Sequence, residues 1–192
     1  MPILDHFNLI APYYDRFISD SNFSHLLDYA RLPEQGAILD AGGGTGRLSH
    51  LLSGERRQVI LVDLAYEMLR QAKVKGNNIP VCSYVEELPF GERMFDRVIM
   101  VDALHHIRKQ TPAIRELWRV LNSGGIAIIE EPNIHIWFVK IIAFLEKALF
   151  MHSKFFTGNA IARLFDFQDA KVKIEYWQSS VIIVAEKEAQ KL

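Results

Sequence analysis

Four glycines crowd into five positions of this chain, Gly42 to Gly44 and Gly46, directly behind an apolar run that ends in Asp40. Glycine loses more freedom than any other residue when its backbone is fixed. Such a cluster belongs where the chain must turn sharply or come close to something. The stretch "AILDAGGGTGRLSH" therefore predicts a strand, a tight turn and a helix in succession. In an open parallel sheet that junction is where ligands bind, beyond the carboxyl ends of the strands. A turn with no ligand beside it needs fewer glycines than this. Gly42, Gly44 and Gly46 are expected to leave room for a ligand beside the start of the helix, where free amides can donate.

Strand-like and helical patterns alternate from this junction onward. The apolar runs are "AILDA", "QVILVDL", "IPVCSYV", "FDRVIMVDA" and "IAIIEE". Between them lie the helical patterns "TGRLSHLLSG", "AYEMLRQAK" and "PAIRELWRVLN", the last expected to stop at Gly124-Gly125. The runs are continuously apolar, as in parallel strands covered on both faces. Alternation of this kind predicts an α/β class, a doubly wound sheet with right-handed crossovers. The end of the chain departs from it. "KVKIEYW" and "VIIVAEK" are separated only by Gln178-Ser179-Ser180, too short for a parallel crossover, so these strands must form an antiparallel C-terminal hairpin.

Bulk properties narrow the partners. The 192 residues suffice for one domain with a substantial core, and a net charge of −1 gives no electrostatic reason for a nucleic-acid partner. Cys82 is the only cysteine, which excludes an intrachain disulfide and suits a reducing compartment. The opening "MPILDHFNLI" lacks a basic segment followed by a long apolar run, so a cytoplasmic location is expected.

Spacing decides the ligand. A dinucleotide loop needs G-x-G-x-x-G/A, but counting from Gly42 or Gly44 brings Arg47 or Ser49 to the third glycine's place. A phosphate-binding P-loop needs a lysine after its last glycine, and none follows Gly46. What fits is D-x-G-x-G-x-G, carried by Asp40, Gly42, Gly44 and Gly46. Asp63 ends the second run 23 positions after Asp40, where a carboxylate can accept both hydroxyls of a ribose.

On these residues the chain resembles the class I S-adenosylmethionine-dependent methyltransferases, in the branch that includes the ubiquinone and menaquinone methyltransferases. "VDLAYEML", "EELPFGERMFDRVIMVDALHHI", "LWRVLNSGGIAIIEE" and the N-terminal "APYYDRF" are similar to that family's segments. The resemblance implies a Rossmann-like methyltransferase fold, mostly parallel and seven-stranded, in which the terminal hairpin supplies the last strands. It implies S-adenosylmethionine as cofactor and S-adenosylhomocysteine as product. It carries cofactor contacts onto Asp40, Ala41, Gly42, Gly44, Gly46, Asp63, Leu64, Met68, Tyr84, Val85 and Val101. One position departs from the family. Ser83-Tyr84-Val85 stands where relatives carry "GDA", so Tyr84 replaces the aspartate that accepts from the adenine amino group. A phenol can accept that bond or stack on the ring.

Methyl transfer from a sulfonium is an in-line displacement, in which holding the reacting atoms in line is most of the protein's task. A general base is optional. His105 and His106 follow the fourth strand, and as adjacent residues they cannot both face the cleft. Tyr14 and Asp15 lie in a segment that closes over the cofactor in relatives. Glu130 and Glu131 are expected just past the fifth strand, facing the same cleft. No paired histidines at helical spacing and no cysteine pair suggest a metal. "IHIWFVKIIAFLEKALFM" is apolar nearly all round as a helix and too interrupted by charge to cross a membrane. It reads as an acceptor lid or dimer surface, a sheet-covering helix, or a peripheral membrane contact. The expected organisation is a single methyltransferase domain over residues 1–192, with a helical cap at 1–35 and a lid-like helical insertion at 133–168. The expected reaction is methyl transfer to a small, apolar acceptor. The alternative is a non-catalytic domain of the same fold that binds a nucleoside or serves as a partner subunit.

Overall fold

The computed structural model describes residues 7–8, 11–12, 15, 23–76, 78–136, 139 and 154–189. Among them, seven strands form one sheet in the order β3-β2-β1-β4-β5-β7-β6. These are β1 (Gly36–Ala41), β2 (Arg57–Asp63), β3 (Ile79–Cys82), β4 (Phe95–Val101), β5 (Leu121–Pro132), β6 (Ala170–Trp177) and β7 (Ser180–Lys187). β1 to β5 run parallel, whereas β7 is antiparallel to both β5 and β6. The doubly wound sheet with its antiparallel C-terminal hairpin is the predicted one. A two-residue turn, Gln178-Ser179, joins β6 to β7, with Gln178 at a left-handed φ of 49°. β1 and β4 lie side by side where strand order reverses direction, so the crevice above them is the topological switch point.

Burial follows from the continuous apolar runs. Alternate residues of each strand enter two separate cores, Leu39, Val62, Val98, Met100 and Ile129 on one face, Ile38, Val59, Ile99 and Ile128 on the other. The first core is covered by α4 (Gln110–Val120) through Ala113, Ile114, Leu117 and Trp118. The second is covered by α1 (Ser24–Ala30) and α2 (Ser49–Leu52) through Leu26, Ala30 and Leu52. Each such leucine contributes about 1.5–3 kcal/mol relative to exposure. α3 (Tyr66–Lys75) packs beside β2, and α5 (Gly158–Ala162) lies on β6 and β7.

Two expected boundaries move. α4 ends at Val120, four residues short of the glycine pair, because its last carbonyls are met by a side chain rather than by a glycine cap. The buried Lys187 ammonium donates to the carbonyls of Trp118 (2.7 Å) and Leu121 (3.0 Å). Gly124 and Gly125 instead lie inside β5, beside the register shift between Phe95 and Arg97. A side chain at Gly125 would meet Leu121 Cδ1 at 2.7 Å. The helix after the glycine loop is also short. α2 starts at Ser49, so the loop itself, and not a helix end, presents amides to the crevice.

Candidate active site

The glycine loop is shaped from two sides. Gly42, Gly44 and Gly46 have φ of 70°, 55° and 75°, a region that side chains disfavour. Gly42 and Gly43 amides donate to Val62 carbonyl oxygen at 2.7 and 3.2 Å, which ties the loop to the end of β2. The glycines then divide by what surrounds them. A Cβ at Gly42 would meet Ala103 Cβ at 2.5 Å, and one at Gly46 would meet Ala72 Cβ at 3.2 Å. At Gly44 nothing lies within 4 Å. That open space faces the crevice, and a Cβ would begin to fill it.

Asp63 organises the same loop from the end of β2. Its Oδ2 accepts from Gly44 N at 2.9 Å and its Oδ1 from Ala65 N at 2.8 Å. Burial raises its pKa from the ordinary value, against the amides of Ala65, Gly44 and Leu64. Asp40 is more deeply enclosed. Its Oδ2 accepts from Ser49 Oγ at 2.6 Å, and burial, aided by the Asp63 charge, raises its carboxyl to about 6. Asp15 is tied to the loop as well. Burial opposes its ionisation, but hydrogen bonds and charge from Lys75 (2.6 Å) and a hydrogen bond from Thr45 (2.6 Å) outweigh it and hold the carboxyl below its usual value. With both oxygens engaged, Asp15 anchors the loop.

Above the loop opens a cleft of about 710 Å³, a size typical of small-molecule sites. Asp40, Gly42, Gly44, Asp63, Leu64, Met68, Tyr84, Val85, Val101 and His106 all line it. Ala41 and Gly46 do not: Ala41 is buried in β1, and Gly46 faces α3. Tyr84 is half exposed at the start of a 3-10 turn, Val85–Glu87, with its residue reaching the cleft wall. Tyr14, Trp137 and Phe138 lie outside the described residues, as does most of the apolar segment that follows them.

The two histidines part as expected of neighbours. His106 reaches the cleft and sets its ring edge-on against Phe7, centroids 5.0 Å apart. Burial first, and then the charge of His105, lowers its pKa to about 3, so it is a neutral imidazole at neutral pH. His105 is buried beneath. Its Nδ1 bonds Glu131 Oε2 at 2.6 Å, and its ring stacks on Phe155. The other oxygen of Glu131 accepts from the amides of Ala103 (3.1 Å) and Leu104 (2.8 Å).

The expectation that Glu130 and Glu131 face the cleft together is corrected. Both lie within β5, both are buried, and strand geometry sends them to opposite faces. Glu131 turns to His105, whereas Glu130 bonds His25 Nε2 of α1 at 3.1 Å. His25 in turn stacks on Trp177 at the hairpin end, ring planes 7° apart.

The cleft also holds residues that were not expected, Asp102 among them. Asp102, the residue after β4, has φ 51° and lines the cleft. That region is uncommon for residues other than glycine, although aspartate enters it more readily than most. Its amide donates to Glu130 carbonyl oxygen at 2.9 Å, and the next two amides are those held by Glu131. Loss of hydration, then the charges of Glu131 and Glu130, raise its carboxyl to about 6, with His105 and Arg47 opposing. The signal was in the sequence: Asp102 follows the fourth strand as Asp63 ends the second.

Comparison with known proteins agrees with this architecture. Residues 39–129 match the family described as "Methyltransferase domain". The ubiquinone/menaquinone biosynthesis C-methyltransferase UbiE of Vibrio cholerae is 38% identical over 104 residues, covering 49% of this chain and 40% of that protein. The protein of the same name from Shewanella frigidimarina is 31% identical over 147 residues, covering 67% of this chain and 58% of its own. The chain thus spans about half the length of the curated relatives it matches. Among solved structures, an S-adenosylmethionine-dependent methyltransferase from Thermotoga maritima superposes with a TM-score of 0.78 at 19% identity, over 97% of this chain and 100% of that one. A chain of the Haloferax volcanii complex between the Trm112 methyltransferase activator and a methyltransferase superposes with a TM-score of 0.81 at 14% identity, over 95% and 97%. Identities this low speak for the fold alone.

Proposed function

We propose that the chain carries a class I S-adenosylmethionine-dependent methyltransferase domain and moves a methyl group from that cofactor to a small, apolar acceptor. The observation that carries the reading is the open space at Gly44 beside the fixed carboxylate of Asp63. A loop bent only for packing would surround every glycine, as it does Gly42 and Gly46.

In this reading Gly42 and Gly44 let the cofactor lie against bare backbone. Asp63, whose Oδ2 accepts from Gly44 N and Oδ1 from Ala65 N, keeps lone-pair capacity for a ribose hydroxyl. Tyr84 and the Val85 amide meet the adenine, with Met68 and Leu64 closing the apolar side. Asp40 supports the loop from behind through Ser49. When bound, the cofactor supplies a methyl group made electrophilic by its sulfonium. The protein aligns that methyl with the nucleophile and keeps water out. Phe7, Phe23, Leu48 and Ile107 give one part of the remaining wall an apolar character suited to such an acceptor, while Arg47, Glu86, Arg108, Lys109 and Lys154 make the rest charged. The relatives' named C-methylation in ubiquinone and menaquinone biosynthesis is compatible with that wall.

The test is titration calorimetry with S-adenosylmethionine and S-adenosylhomocysteine. Micromolar binding of both is expected. No binding of either would refute the reading and leave a non-catalytic domain of this fold.

A further inference from the structure

We propose that Asp102 is the catalytic carboxylate of this cleft toward the methyl acceptor, the group that takes the proton from the nucleophilic atom. The proposal rests on the methyl-transfer reading. Three independent features of the geometry carry it.

The first is place. Asp102 follows β4, and β4 adjoins β1 at the switch point, so the residue lines the crevice where the strand order reverses. The second is a fixed turn. Aspartate enters the left-handed region more readily than most residues, and the turn is pinned where the surroundings hold its amides. Here they do, because Glu130 carbonyl oxygen holds its amide and the Glu131 carboxylate holds the two amides that follow. A relaxed strand end would carry the side chain elsewhere. The third is vacancy of role. Asp40, Asp63 and Asp15 are each engaged by donors that shape the loop, but among the described residues no hydrogen bond is made to the Asp102 carboxylate. A carboxylate fixed in this way and left without a donor is ready to receive one.

The charged groups around it favour a proton acceptor over a fixed counter-ion. Glu130 and Glu131 of β5 disfavour its ionisation, while His105 on its own turn and Arg47 of the glycine loop support it. Burial first, and then this balance of charges, leaves the carboxyl titrating near 6, closer to working pH than the neighbouring His106. In the step itself the acceptor's bond to hydrogen breaks and the proton passes to an Asp102 oxygen. The electron pair left on the acceptor forms the bond to the methyl carbon. The pair of the broken sulfur–carbon bond returns to sulfur and cancels its positive charge. Charge balances, since the carboxylate becomes neutral as the sulfonium does.

The experiment uses Asp102→Asn, which tolerates the left-handed backbone and keeps the side-chain shape but cannot take a proton. Protein labelled with 13C at the aspartate carboxyls is titrated with S-adenosylhomocysteine bound. The signal missing from Asp102→Asn should titrate near 6. The variant should bind S-adenosylhomocysteine within about twofold of the parent, because the carboxylate serves the acceptor. With 1,4-dihydroxynaphthalene, phenethylamine and thiophenol as acceptor probes, any transfer seen should fall about a hundredfold in kcat and lose its acidic limb. Asp102→Gly, which relaxes the backbone, repeats the comparison should the Asn protein misfold. Titration near 4 with ligand bound, or about a tenfold loss of S-adenosylhomocysteine affinity, overturns the assignment. Failure of the parent to bind S-adenosylhomocysteine overturns the methyl-transfer reading first, and this assignment with it.

Discussion

Replacing Glu131 by alanine should unsettle the cleft floor more than any other single truncation of a polar side chain. The side chain is 4% exposed and is the acceptor for three donors, the amides of Ala103 and Leu104 and the His105 imidazole. Each buried donor left without an acceptor costs about 1–3 kcal/mol. Local relaxation lowers the sum, and removal of one member of a buried charged pair typically costs about 3–5 kcal/mol. We expect about 4 kcal/mol. Glu131→Gln keeps one oxygen for the two amides but turns its NH2 toward His105, so about 2 kcal/mol is expected there. The assay is urea unfolding followed by tryptophan fluorescence. At a slope of about 2 kcal/mol per molar, the alanine midpoint should fall by about 2 M with the slope unchanged. A cycle with His105→Phe isolates the pair, and about 2 kcal/mol of coupling is expected from a buried charge-assisted hydrogen bond. An alanine variant within about 1 kcal/mol of the parent, or no coupling in the cycle, would refute the reasoning.

Other consequences are simpler to check. Asp63→Ala should weaken S-adenosylhomocysteine binding by about ten- to a hundredfold by calorimetry, the cost of losing a charged acceptor for two hydroxyls. Tyr84→Asp, which restores the family residue, should preserve or improve that affinity; a tenfold loss would show that the phenol stacks on the adenine. Gly44→Ala should stay folded, at a cost of about 1–2 kcal/mol for its φ, yet bind the cofactor at least about tenfold more weakly. Gly42→Ala should lose more stability, because its Cβ would lie 2.5 Å from that of Ala103. Asp40, whose folded pKa is raised to about 6, favours the folded state below the unfolded value near 3.8 and loses that contribution as pH rises through 6. Asp40→Asn should therefore gain up to about 3 kcal/mol at pH 8 and nothing at pH 3, read from urea midpoints at each pH.

Much of this arrangement was legible in the residues. The continuous apolar runs required a sheet covered on both faces, and the short link at Gln178 required its antiparallel end. The D-x-G-x-G-x-G spacing and Asp63 converge on one loop because backbone torsion and strand ends are local properties. Properties set across the sheet were hidden. Nothing near Val120 announces that Lys187, from the last strand, will satisfy the end of α4. The facing of Glu130 and Glu131 depended on how far β5 extends, and it runs on past Ile129 to Pro132 through pairing with β7. The left-handed Asp102 follows from that same extension, since Glu130 and Glu131 together hold its turn. Gly46 looked like a ligand contact until the position of α3 was known.

The back-to-back glutamates give the sheet a mechanical property. One carboxylate grips His25 on the outer helix, the next grips His105 under the crevice, and a single peptide unit joins them. The carbonyl of Glu130 also holds the amide of Asp102. The outer helix and the turn that carries Asp102 are thus pinned to adjacent residues of one strand, from opposite sides of the sheet.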